Sequence, residues 1–208
     1  MLESNEEFLE SWPQIGDRLF VQNAWAIDAA ITTSRGERLY RLKIASQNAA
    51  DLLVNHTTTR PHERANLVWP IVFCYRQYIE LALKDVIDSY GLQVMTDPEI
   101  KPNWNSHKLE DLWNSYKRII GSTLVASTAD DIQGLPAVEA CINEFVGIDP
   151  GSYTFRYPVG RDGRKTEIPC DSIDLYHLRD VMERLCIFFD AAESSLDEHF
   201  NPTSRQCP

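Results

Sequence analysis

Apolar residues recur at steps of three and four through most of the chain, so helices are the expected elements. From Glu37, the series Leu39, Leu42, Ala45, Ala49, Leu52 and Leu53 traces one face of an amphipathic helix, which Thr57-Thr58-Thr59-Arg60-Pro61 ends. Leu67 to Tyr90 is apolar on nearly all sides, the mark of a central, largely buried helix. Pro70 fits its first turn or kinks it, and Gly91 suits its C-terminal cap. A loop containing Pro98 and Pro102 follows. Ser106 is placed to cap the next helix, whose stripe of Leu109, Leu112, Trp113, Tyr116, Ile119 and Ile120 stops at Gly121. Pro136 opens a helix carrying Val138, Ile142, Phe145 and Val146, ended by Gly147. The last helix starts near Asp171-Ser172 and carries Leu178, Val181, Met182, Leu185, Phe188, Phe189, Ala192 and Leu196 toward Phe200.

One segment breaks the helical rhythm. Tyr153 to Val159 is aromatic and β-branched, Asp162-Gly163 is a turn signal, and Arg164 to Ile168 can return as a second arm. The pattern therefore predicts an all-α fold, a helical bundle of about five main helices with a small hairpin-like loop near 153–168. Residues 1–35 read as an N-terminal docking segment, with short helical pieces at Glu6 to Trp12 and Asp28 to Thr33 and with Phe8, Trp12, Phe20 and Trp25 as anchors. Residues 36–200 form the bundle and 201–208 a frayed tail.

Charge narrows the function classes. With 31 acids, 20 bases and a net charge of −11, the chain cannot coat duplex nucleic acid broadly, because that affinity comes from Lys and Arg neutralising phosphates. A membrane surface is disfavoured for the same reason, and one local basic site, a basic partner or a small ligand remain open. Cysteines at 74, 141, 170, 186 and 207 have no C-x-x-C spacing, which predicts free thiols in a reducing compartment and neither disulfides nor zinc. The acidic Met1 to Glu7 stretch carries no secretory signal, and the longest apolar run, Leu67 to Tyr75, is far shorter than the roughly 20 residues that span a bilayer. A cytoplasmic location is expected. Glycine-rich phosphate loops, dinucleotide fingerprints, nucleophile elbows and paired metal-ligand histidines are missing, so no cofactor or metal is expected.

Three constellations remain as candidate chemistry. Arg156, Arg161, Arg164 and Lys165 are interleaved with Tyr153, Phe155 and Tyr157 in the 153–168 loop. Guanidinium groups clamp phosphate and aromatic faces stack on unpaired bases, but the same residues also serve as loop anchors and solvated charges. Arg76, Glu80 and Lys84 follow one another at helical i, i+4 spacing through the apolar central helix. They form either an internal ion-pair ladder or the polar wall of a pocket. His107, at a helix start, can cap or act as an acid–base group.

Arg76-Gln77-Tyr78-Ile79-Glu80-Leu81 with Lys84 resembles the central helix of HEPN-like helical proteins of bacteria. His107-x-Leu109-x-x-Leu112-Trp113 and Asp149-Pro150-x-Ser152-x-x-Phe155-Arg156-Tyr157-Pro158 are similar to further marks of one uncharacterised branch of that superfamily. The resemblance implies an α-helical bundle, often dimeric or larger, and work in toxin–antitoxin, phage-defence or RNA-processing systems. Many members are metal-independent ribonucleases with an arginine and a histidine separated by four to six intervening residues on a late helix. Here Arg179 and Arg184 have no histidine at that spacing. The leading expectation is thus a module that binds a nucleotide, RNA or a partner protein through Arg76, Glu80, His107, Phe155, Arg156 and Tyr157 without that motif. The alternatives are an atypical ribonuclease, with His107 as general base and Arg156 and Arg76 on the phosphorane, and a purely structural assembly subunit.

Overall fold

The computed structural model describes residues 12, 13, 15–20, 31–124, 129–160 and 162–202, without the side chains of 123, 124 and 129–133. The chain divides into two compact units, Met1–Thr33 and Ser34–Pro208. Phe8, Trp25, most of the helix expected at Glu6 to Trp12, Arg161 and nearly all of the tail lie outside the described residues.

The second unit is all-α. Among the described residues six α-helices follow one another as α1 (Arg35–Thr59), α2 (Arg64–Tyr90), α3 (Asp97–Asn105), α4 (Leu109–Leu124), α5 (Ala129–Ile148) and α6 (Leu175–Phe200). Single 3-10 turns, Pro61–Glu63 and Gly91–Gln93, flank α2. Among the described residues no helix is long and apolar enough to cross a membrane.

α2 is the axis of the unit. It lies along α1 and also packs on α4 and α6, while α5 packs on α4. Because neighbours cover it on several sides, its buried set runs round the whole helix: Ile71, Val72, Tyr75, Tyr78, Ile79, Leu83, Val86 and Ile87. Each such aliphatic side chain stabilises the fold by roughly 1.5–3 kcal/mol relative to exposure. An aromatic knot joins three helices, with Tyr116 of α4 edge-on to Phe189 of α6 at 5.7 Å and Tyr78 of α2 against the same ring at 6.3 Å.

Several local expectations are corrected. The Pro98/Pro102 stretch is a helix, α3, not a loop. Thr96 and Glu99 form a reciprocal capping box, and Pro98 lies in the first turn, where a missing N–H costs no helical bond. Pro136 lies inside α5 rather than opening it, and because α2 starts at Arg64, Pro70 lies inside that helix beyond its first turn. Gly121 is passed through by α4, and α5 continues beyond Gly147 to Ile148. α6 begins later than Asp171-Ser172, because Asp174 is its N-cap, taking the Tyr176 and His177 backbone N–H groups at 3.0 Å each.

The non-helical segment does reverse direction. Val159 and Lys165 form one antiparallel bridge, Gly163 adopts φ 75° in the turn, and Thr166 donates its N–H to the Pro158 carbonyl at 3.1 Å. Gly163 suits that position because a side chain would strain it.

Candidate functional site

Arg76, Glu80 and Lys84 form a charged ladder sealed inside the unit, at 0%, 1% and 6% exposure. Helical i, i+4 spacing stacks them, so Glu80 accepts from Arg76 through Oε2 and from Lys84 through Oε1, both at 2.9 Å. Burial alone would raise the Glu80 pKa, but Lys84 and Arg76 together bring it below its ordinary value of 4.5. The ladder also fastens elements distant in sequence. Arg76 donates to the backbone carbonyls of His107 and Asp149, and Lys84 donates to that of Trp104 at 3.4 Å. His107 closes the edge, its Nδ1 lying 3.0 Å from Glu80 Oε1 while the ring stays half exposed.

Asp149 carries the link onward to the loop. Its Oδ2 lies 3.4 Å from Arg76 Nε, and its Oδ1 accepts the N–H groups of Tyr153 and Thr154 at 2.6 and 3.0 Å. Ser152, with φ 61°, holds a left-handed conformation that costs on the order of 1–3 kcal/mol outside glycine. Its carbonyl accepts from both Nε and Nη2 of Arg156. The Arg156 guanidinium is surrounded by the rings of Tyr153, Phe73 and Tyr157, 5.2, 5.4 and 5.5 Å from their centroids. Among the described residues it has no carboxylate partner.

The loop, the start of α2 and the segment leading into α6 border two neighbouring open cavities. One, of about 350 Å³, is lined by Trp69, Phe155, Arg156, Tyr157, Lys165 and Ile168 among others, and no described residue of its lining is acidic. The second, of about 560 Å³, shares Trp69, Phe155 and Ile168 and continues toward Arg64, Asp171, Asp174 and Tyr176. Both fall in the size range of small-molecule sites. Phe155 is buried and packs on Trp69 with centroids 6.0 Å apart, so the pair forms a common apolar wall.

The six residues singled out from sequence therefore separate into two groups. Phe155, Arg156 and Tyr157 meet at an open cavity. Arg76 and Glu80 serve each other and the fold inside the protein, and His107 joins them rather than the cavity wall. Arg76, His107 and Arg156 are not gathered in that cavity. His56 and His62 sit beside Glu63, with His56 Nε2 at 2.8 Å. The sequence alone does not single out Trp69, Arg64, Asp174 or Tyr176 as wall residues; Trp69 falls within the largely buried 67–90 stretch, yet it is 45% exposed. A tryptophan next to Pro70 near a helix start was the available signal.

No protein-family model matches the chain, and no curated protein or solved structure matches it.

Proposed function

We propose that this protein is a HEPN-like module of a prokaryotic defence or stress system that binds a phosphate-bearing aromatic ligand, a nucleotide or an RNA end, in the groove beside the 153–168 loop. The family reading is carried by the three sequence motifs, and the ligand class by one observation. Arg156 and Lys165 face a cavity with Trp69, Phe155 and Tyr157 and with no acid among its described lining residues, in a chain of net charge −11. Two cations in an acidic protein concentrate the attraction for phosphate at one place, and the exposed Tyr157 ring gives a base a face to stack on. The ribonuclease alternative would need Arg76 at the reacting phosphorus, where its guanidinium would have to leave Glu80, Asp149 and the His107 carbonyl.

Equilibrium dialysis with radiolabelled nucleotides and a short single-stranded RNA tests the proposal. Saturable binding that Arg156→Ala weakens on the order of tenfold, as expected for loss of a charged hydrogen-bonding group, is the expected result. Retention of full affinity in Arg156→Ala, or no binding to either probe, would sink it. RNA cleavage lost in both His107→Ala and Arg156→Ala would favour the ribonuclease instead.

A further inference from the structure

The two cavities form a groove whose ends differ in charge. At one end stand Arg156 and Lys165 with no described acid; at the other Asp171 and Asp174 outnumber the single base, Arg64. The shared wall between them is aromatic, Trp69 and Phe155. Asp174 uses only Oδ1 for its helix cap, so Oδ2 remains for another donor, and Asp171 is exposed on the same wall. Arg64 turns toward the Thr57 carbonyl and the Tyr176 hydroxyl, at 3.4 and 3.5 Å. A fitting ligand has an anionic end, a flat aromatic middle and a far edge rich in N–H donors.

Among the common bases only guanine presents two adjacent donors, N1–H and the 2-amino group, matched to the two oxygens of an ionised carboxylate, which accepts and never donates. Adenine sets the N1 lone pair beside its amine, cytosine does the same with N3, and uracil flanks its single N–H with carbonyls. Each would leave a lone pair facing the carboxylate. We infer that the groove binds a guanine nucleotide, with phosphate at Arg156 and Lys165 and the base edge at Asp171 or Asp174. This inference rests on the nucleotide reading of the groove and adds direction and base identity to it.

The test compares GTP, ATP, CTP and UTP on the full chain by isothermal titration, together with Asp171→Asn/Asp174→Asn and Arg156→Ala. Asparagine caps helices as well as aspartate does, so the double variant keeps the α6 cap while replacing each two-oxygen acceptor by a neutral amide with one acceptor and two donors. GTP is expected to bind on the order of tenfold tighter than the others, the discrimination typical of one bidentate base contact. The double variant should bring GTP down to the ATP level without weakening ATP, whereas Arg156→Ala weakens all four. Bound GTP should also slow alkylation of Cys170, an exposed thiol in the acidic cavity, read by peptide mass spectrometry. Equal affinity for all four nucleotides, each lost in Arg156→Ala, overturns the base assignment and leaves the nucleotide reading standing. A GTP preference that survives the double substitution, or leaves Cys170 alkylation unchanged, overturns the placement of the base. Binding of none of the four overturns the nucleotide reading and the inference with it.

Discussion

Asp149 and Arg76 face each other inside the protein, Oδ2 to Nε at 3.4 Å. One residue directly follows α5 and opens the turn there, and the other lies in the middle of α2. The same carboxylate fastens the first turn of the 153–168 loop through Oδ1. The loop that carries the candidate site is therefore built on a charge pair in the core.

Replacing Asp149 by Ala should destabilise the fold by about 3–5 kcal/mol, because it strips a buried guanidinium of a partner and two backbone N–H groups of their acceptor. Urea unfolding measures the loss. Hydrogen exchange at the Tyr153 and Thr154 amides should accelerate more than at α4 amides. A loss under about 1 kcal/mol would mean that Glu80 alone neutralises Arg76.

The lowered pKa of Glu80 gives a sign to the pH dependence of stability. A carboxylate more acidic when folded than when unfolded stabilises the fold above its ordinary value of 4.5, and that contribution is lost as pH falls through the folded value. Stability should thus decline on acidification below about pH 4.5 more steeply in the wild type than in Glu80→Gln. Chemical denaturation at pH 7, 5, 4 and 3 gives the slopes, and parallel curves for the two proteins would refute the assignment.

Arg156→Lys separates charge from shape at the groove. Lysine keeps the positive charge but loses the planar fork that bonds the Ser152 carbonyl and lies among three rings. Ligand affinity should fall between wild type and Arg156→Ala, with the salt dependence of binding retained in Lys and reduced in Ala. Titrations at several salt concentrations distinguish this from a purely structural arginine, for which Lys and Ala would behave alike.

Tyr116 offers a stabilising substitution. Its hydroxyl is buried with no hydrogen-bond partner among the described residues, and burial raises its pKa. Tyr116→Phe removes an unsatisfied polar group while keeping the ring contacts with Trp113 and Phe189. A gain of about 1 kcal/mol in thermal or urea unfolding is expected. A loss of similar size would reveal a partner for that hydroxyl in solution.

The bundle was legible because helical burial writes itself into spacing. The stripes on α4 and α6 and the mostly apolar, buried α2 follow directly from which sides each helix covers, but the stripe expected on α1 does not: Leu42, Ala45 and Leu52 are exposed, and α1 buries Leu39, Lys43, Ala50, Val54 and Thr57 instead. α3 is hidden in the sequence because two prolines within five residues suggest a loop, although Thr96 and Glu99 carry the capping signal beside them. The Arg76-Glu80-Lys84 ladder was visible as a pattern, but not its partners. The Asp149 and His107 contacts join positions brought together by the fold, and the carbonyls of His107 and Trp104 have no side-chain identity to read. Trp69 shows the same limit at the groove. An aromatic on an apolar helix looks like core until the loop opposite, far later in the chain, leaves its ring partly open.

The left-handed Ser152, the Asp149 turn and the sealed ladder also bear on how the chain reaches this state. Arg76 satisfies its guanidinium with acceptors 31 and 73 positions further along, so its burial cannot be completed by local contacts. During synthesis, α1 and α2 emerge long before Asp149 and must keep this arginine hydrated or provisionally paired. Truncated chains ending before α5 should accordingly stay loose around α2, and closure of the ladder becomes a late, cooperative checkpoint that only a chain extending through Asp149 can pass.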